Sequence, residues 1–526
     1  MARFSMTRLR RIAAWGCFSL AALIGSGLLL ADHYTPQATG APSTALPSLT
    51  HTASKATALD LELGPLLADH PGKTGALLVT DGVDAFAARA LSAQKAGRSL
   101  DLMYYIWHDD LTGRLLGREA WRAAERGVRV RMLLDDMNAE GMDSKLLLLD
   151  GHPNIDIRLY NPFRNREGIG RIVELVQRVV SVNHRMHNKA WIADNRMAVV
   201  GGRNIGEEYF GAGDEVNFRD LDMVLFGPAV QETSAMFDRY WNSAAAVPLA
   251  GLARAPRDGF DSIAQAIETE AAGKDAQRYL QRVSASKSVR DYAGKQLEPF
   301  WSDRIHLVSD PPLKWDDSSR DDWLVHRIER DLSSATHKVL LISPYFVPGP
   351  EVTDALVGMK KKGVTVGVVT NSLGANDVAA VYGAYWPYRD TLLRGGVHVY
   401  ELRAQGHPES SLFGSSGASL HTKAYSVDDT RGFIGSFNLD AHSAYLNTEM
   451  GVMFDDADLA RAVRDEYLRL AGPDLSYWMR VNGDGDAQWL DHAAKPPRLL
   501  GTAPDTDRQQ RAMATVMSWL PLESQL

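Results

Sequence analysis

Short apolar or β-branched runs alternate with helical stretches along the chain, beginning with 99–107 as a strand, 112–126 as a helix and 128–135 as the next strand. The same order returns in the second half, where 338–347 reads as a strand, 351–362 as a helix and 364–370 as a strand. Gly127-Val128-Arg129-Val130 is matched by Gly363-Val364-Thr365-Val366, and 154–159 and 396–400 supply a third strand in each half. This repeated alternation predicts an α/β protein built from two similar halves.

A different pattern opens the chain, where Arg3, Arg8, Arg10 and Arg11 precede an uncharged apolar run over 12–31 that ends at Asp32. About twenty residues of helix suffice to cross a bilayer. A cleavable signal peptide is the competing reading, but its apolar region is normally shorter, and Leu28-Leu29-Leu30-Ala31 makes a poor small-x-small cleavage site. An N-terminal transmembrane helix is therefore expected, with the arginines cytoplasmic and the rest of the chain across the membrane, in a bacterium the periplasm. Beyond it, 34 to about 57 is rich in Thr, Ala, Pro and Ser, as in a flexible spacer. The expected organisation is an anchor at 1–32, a spacer at 33–75, a first half at 76–245, a helical connector at 246–300, a second half at 301–475 and a C-terminal extension at 476–526.

Length and charge narrow the function. With 526 residues, 45% of them hydrophobic and 23% charged, the chain is globular and too long for one ordinary core. A net charge of −8 argues against a protein-wide nucleic-acid footprint, though a local basic groove stays compatible with it. A single cysteine, Cys17, rules out an internal disulfide framework and any Cys-rich metal site. His-Glu-x-x-His, Gly-x4-Gly-Lys-Ser/Thr and Gly-x-Ser-x-Gly patterns are absent from the sequence. His184 and His187 are spaced i, i+3, which for an isolated pair suits a structural role better than a metal site. No metal and no cofactor is expected.

The candidate chemistry lies in His187-Asn188-Lys189-Ala190-Trp191-Ile192-Ala193-Asp194, repeated 234 residues later as His421-Thr422-Lys423-Ala424-Tyr425-Ser426-Val427-Asp428. The register holds without a gap to Gly201-Gly202-Arg203-Asn204 and Gly435-Ser436-Phe437-Asn438. A half-buried strand with a wet polar face would explain the alternation alone, but not the joint return of His, Lys, Asp and Asn. Residues two apart on a strand share a face about 6–7 Å apart, so one His and one Lys can touch one phosphate. One imidazole can attack phosphorus while the other protonates the leaving alcohol. Lys189, Lys423, Asn204 and Asn438 suit the charge that develops on the non-bridging oxygens. Each imidazole needs a carboxylate to fix its tautomer, and Glu449 with Asp220 are the candidates. Thr448-Glu449-Met450 and Arg219-Asp220-Leu221 both open an apolar strand, the first half carrying about five extra residues before it.

These residues resemble the phospholipase D superfamily and, within it, the bacterial cardiolipin synthases. The resemblance covers about 78–472. Its marks are both His-x-Lys-x4-Asp motifs with their Asn followers, Arg219-Asp220 ahead of Gly227-Pro228-Ala229-Val230, and Asn447-Thr448-Glu449. Tyr104-Tyr105-Ile106-Trp107 and 183–189 look most like the synthases. The resemblance implies pseudo-twofold symmetry with one site between the halves, His187 as nucleophile, His421 as acid and then base, and Asp194 and Asp428 as structural or orienting members. It also implies phosphatidylglycerol and a second phospholipid, such as phosphatidylethanolamine, as substrates; the apolar run places the chain at a bacterial inner membrane, and with the acidic balance it leaves no nucleic-acid partner expected. Hydrolysis of phospholipid or nucleic-acid phosphodiesters by the same residues is the alternative, and a catalytically silent membrane scaffold is a third. The stretches 169–182 and 512–522 read equally as membrane-surface amphipathic helices or as packed ones.

Overall fold

The computed structural model describes residues 56–519, apart from 140, 167, 169, 172–173, 175–177, 179–182, 215, 254–259, 295, 318, 377–378, 405–409, 412–413 and 416–419. The apolar run at 12–31 lies outside the described residues, as do the apolar positions expected along 169–182. Among the described residues no helix is long and apolar enough to cross a membrane.

Two large sheets carry the repeat. In the first, strands run in the order Ile155–Tyr160, Arg129–Asp135, Ser99–Tyr104, Ala190–Ala193, Met197–Gly201, Asp222–Phe226, Thr74–Val79. In the second, the corresponding order is His398–Leu402, Thr365–Asn371, Lys338–Ile342, Ala424–Val427, Arg431–Gly435, Met450–Asp455, Ile305–Ser309. The first three strands of each series are parallel and the remainder antiparallel. Parallel pairs need crossover helices, which Leu111–Glu125 and Gly349–Lys361 supply. Ser99–Tyr104 is buried along its whole length, as a strand covered on both faces must be. Its Asp101 is tolerated there because Arg131 on the next strand binds both carboxylate oxygens at 2.7 and 2.9 Å.

Apolar side chains form three clusters: one on the outer face of the first sheet, one on the outer face of the second, and one between them. The middle cluster joins Met103, Ile192, Met223 and Phe237 to Leu340, Ile434, Val452 and Leu459. The halves thus share a core, and the ends of their central strands meet along it.

Of the stretch 33–75 expected as a spacer, the described part from residue 56 holds regular structure. Ala58–Asp69 is a helix whose Thr57 and Asp60 form a capping box, with Leu59 and Leu63 buried and Asp60 paired to Arg98 and Arg196. Helices Phe260–Ala271, Lys274–Ser284 and Lys287–Ala293 occupy the stretch between the halves, while Ala246–Pro248 and Phe300–Ser302 add edge strands to the first sheet. The C-terminal stretch adds Ser476–Val481, Ala487–Asp491 and Arg498–Leu500 to the second sheet. The helix Arg508–Met517 follows, packed through Ala514, with Val516 and Trp519 exposed.

Candidate active site

Each motif histidine sits just before a short central strand, Ala190–Ala193 or Ala424–Val427, and is held there by the opposite half. The His187 N–H donates to the Thr448 carbonyl at 3.0 Å, and the Thr448 N–H to the Arg185 carbonyl at 2.9 Å. In mirror fashion, the N–H groups of His421 and Thr422 donate to the Arg219 carbonyl at 2.8 and 3.1 Å. The residue after each cross-half partner is the orienting acid. His187 Nδ1 lies 2.9 Å from Glu449 Oε2, and His421 Nδ1 lies 2.6 Å from Asp220 Oδ2. The histidine–acid pairs are therefore exchanged between the halves, and neither half alone holds a complete one. An ionised carboxylate only accepts, so each bond places the proton on Nδ1 and leaves Nε2 for chemistry.

The lysines follow the same symmetry: Lys189 Nζ donates to the His187 carbonyl and Lys423 Nζ to the His421 carbonyl, each at 2.6 Å. Asn204 accepts from the Ile106 N–H at 3.2 Å and donates its amide to the Tyr209 hydroxyl at 2.9 Å. Asn438 donates its backbone N–H to Ser443 Oγ at 3.2 Å, and its buried Oδ1 has no hydrogen-bond partner among the described residues. Asp194 and Asp428 stand apart from both imidazoles. Each occupies a tight hairpin turn at φ +53°, and its carboxylate gathers three successive backbone N–H groups. Those are Gly97, Arg98 and Ser99 for Asp194, and Thr336, His337 and Lys338 for Asp428, at 2.7–3.0 Å. These residues precede the central strands Ser99–Tyr104 and Lys338–Ile342, so the aspartates pin strand starts.

Electrostatics tie the groups into one centre. Burial, then Lys189 and Lys423, hold His187 well below the usual histidine range; burial, then Lys423, Lys189 and His187, do the same to His421. Burial also pushes Lys189 well below the usual lysine range, with Glu449 opposing and Lys423 reinforcing the shift. Glu449 is pushed up to about 7 by burial, and Asp220 is raised for the same reason. A single negative charge placed between the two lysines would restore the protonated imidazolium.

The family described as "Cardiolipin synthase, PLD-like domain" matches residues 92–241 and 328–471. Cardiolipin synthase C of Escherichia coli (strain K12) is 39% identical over 470 residues, 87% of this chain and 98% of that protein. The chain belongs to the phospholipase D superfamily and is cardiolipin synthase-like. A cardiolipin synthase of Staphylococcus aureus (strain Mu50 / ATCC 700699) is 25% identical over 397 residues, 74% of this chain and 66% of that one. Phosphatidylserine synthase of Haemophilus influenzae Rd KW20 shares the fold at a TM-score of 0.54 and 12% identity, covering 85% of this chain and 92% of its own.

Within this phospholipase D-type centre, several supporting residues carry no sequence motif. Asp135 and Asn371 end equivalent parallel strands and clamp the residue before each histidine. Asp135 accepts from the Met186 N–H at 2.9 Å, and Asn371 bonds both backbone groups of Leu420 at 3.0 and 3.1 Å. Their matching positions in the repeated strands were the available signal. Asp310 and buried Lys314 have none: Asp310 accepts from the Glu449 N–H at 3.0 Å, and Lys314 binds Asp310 and the Ser443 and Asn447 carbonyls at 2.9–3.0 Å. Tyr105 lies edge-on to His187 at 5.0 Å, while Tyr209 and Phe218 flank His421 at 5.1 and 5.3 Å. His184 bonds the Leu446 carbonyl and packs on Trp315, so it is not brought to the site as a ligand. His108, Asp110 and Glu208 approach within 4.8 Å on the rim, but Asp110 is committed to capping Leu111–Glu125.

Proposed function

We propose that the chain transfers a phosphatidyl group to the headgroup hydroxyl of phosphatidylglycerol, making cardiolipin through a phosphohistidine. The observation that carries this reading is the pair of exchanged histidine–acid contacts bracketing two buried lysines. In the first step His187 Nε2 attacks phosphorus, the phosphorus–oxygen bond to the donor headgroup breaks, and His421 Nε2 gives its proton to the leaving alkoxide. In the second, His421 takes the proton of the acceptor hydroxyl, whose oxygen attacks phosphorus as the phosphorus–nitrogen bond breaks. With phosphatidylglycerol as donor the released alcohol is glycerol; with phosphatidylethanolamine it is ethanolamine. Lys189, Lys423 and the amides of Asn204 and Asn438 stabilise charge on the non-bridging oxygens. Asn204 must exchange its bond to Tyr209 for one to phosphate. The likeness to named cardiolipin synthases over most of the chain supports this choice of lipid. The apolar run at 12–31 supports placement at the bacterial inner membrane, with the catalytic part in the periplasm.

The test is purified full-length protein with labelled phosphatidylglycerol, with and without phosphatidylethanolamine, followed by identification of lipid products and released alcohol. Cardiolipin with free glycerol or ethanolamine is expected. Phosphatidic acid as the sole product would establish hydrolysis instead.

A further inference from the structure

The two histidines have near-identical polar partners but different walls. The segment from Asn204 to Asp220 is five residues longer than its counterpart from Asn438 to Glu449. Within it, the Phe218 ring stacks on His421 at 5.3 Å and 23°, and the Tyr209 ring meets it edge-on at 5.1 Å and 80°. Tyr209 and Phe218 also touch each other at 4.9 Å, so His421 lies in a corner made of two aromatic rings from the opposite half. In the register of the repeat, the positions of Tyr209 and Phe218 fall on Ser443 and Asn447, and among the described residues His187 meets one ring, Tyr105, from its own half.

The corner is built rigidly. Buried Arg203 donates to the Tyr209 carbonyl at 3.2 Å and to the Asp220 carbonyl at 2.7 Å, and the Phe218 N–H donates to the Glu208 carbonyl at 2.7 Å. Phe210 packs against Phe86, which in turn meets Tyr279, anchoring the segment to the outer core.

We infer that Tyr209 and Phe218 set the choice of acceptor, favouring a lipid hydroxyl over water at the phosphohistidine. This rests on the transferase reading above. The competing second steps differ only in the oxygen that attacks: either acceptor gives its proton to His421 and forms a new phosphorus–oxygen bond as the phosphorus–nitrogen bond breaks. A water molecule at His421 needs two or more polar partners, and the faces of the Tyr209 and Phe218 rings supply none; between them the two side chains offer one hydroxyl, that of Tyr209, which Asn204 frees when it turns to phosphate. A lipid alcohol carries its own carbon skeleton to fill the space against those rings.

The test uses the full-length protein on phosphatidylglycerol vesicles and reads the ratio of phosphatidic acid to cardiolipin, a partition that does not depend on how much enzyme is folded. Phe218→Ser is expected to raise that ratio several-fold, and Phe218→Leu, which keeps an apolar side chain, to raise it less. Tyr209→Phe, which retains the ring, is expected to stay nearer the parent ratio than Tyr209→Ser. A ratio unchanged in both Phe218→Ser and Phe218→Leu would overturn the inference. Phosphatidic acid alone from the parent enzyme would instead overturn the transferase reading on which it rests.

Discussion

Glu449 is fully buried; its carboxylate bonds His187 Nδ1 and accepts from the Ser436 hydroxyl, while its N–H donates to Asp310 Oδ2 and its carbonyl accepts from the Asp310 N–H. Its counterpart Asp220 is one methylene shorter and sits against Gly202, where a Cβ would come within 2.2 Å of Asp220 Oδ1. The Gly-Gly and Gly-Ser variants of the repeat therefore go with the length of the acid each half carries. Burial lifts Glu449 from its ordinary 4.5 to about 7, so between those pH values the folded chain keeps a proton that the unfolded chain has lost. Its contribution to stability declines as pH rises through that window, by about 3 kcal/mol at most. Glu449→Gln should remove this decline, leaving thermal stability at pH 8 equal to or above the parent's. Turnover should fall roughly 10²- to 10⁴-fold, because an amide cannot stabilise the imidazolium. A variant with parental turnover would remove Glu449 from the mechanism. The His, Lys and Asn positions were legible because they recur in one linear register, and the acids because each opens an apolar strand, five residues out of that register. Their exchange across halves was not, since no linear pattern tells which acid faces which histidine.

At the scale of elements, the turn aspartates show how a motif position can be structural. Asp194 satisfies three N–H groups ahead of Ser99–Tyr104, and Asp428 does the same for Lys338–Ile342. Asp194→Ala leaves those donors buried and unpaired, a loss of about 3 kcal/mol, seen as a lower thermal midpoint. The folded fraction should retain turnover per active site; abolition of chemistry in a fully folded variant would make Asp194 a catalytic group. The strand–helix–strand order was readable from period and β-branched content, with ends displaced by a few residues: 99–107 closes at Tyr104 and 338–347 at Ile342. The first of those tails leaves the sheet to wall the site through Tyr105, and in both tails apolar composition mimics strand. The helix Ala58–Asp69 was hidden because its signal is a capping box and two buried leucines rather than a broad apolar face.

At the scale of the whole molecule, the shared core and the exchanged acids make the halves one catalytic unit, so the repeat marks a duplicated fold with a single centre. Strands such as Ser476–Val481 lie beyond the repeat, added to the second sheet between His398–Leu402 and Ala487–Asp491. The proposed attachment to the bilayer rests on the apolar run at 12–31. Deleting 1–32 should release the protein from sedimented membranes while leaving activity on detergent-dispersed lipid; persistent sedimentation would move membrane binding to surfaces such as exposed Trp519.

Turnover through a covalent phosphatidyl-histidine, formed in a site that both halves complete, would leave an intermediate that can be trapped. The direct measurement is a rapid denaturing quench, under alkaline conditions that preserve phosphoramidates, of full-length enzyme turning over phosphatidylglycerol labelled at phosphorus, followed by peptide mapping. Label is expected on His187, with its loss in His187→Ala. Turnover with no covalent label on His187 or His421 would contradict a covalent mechanism.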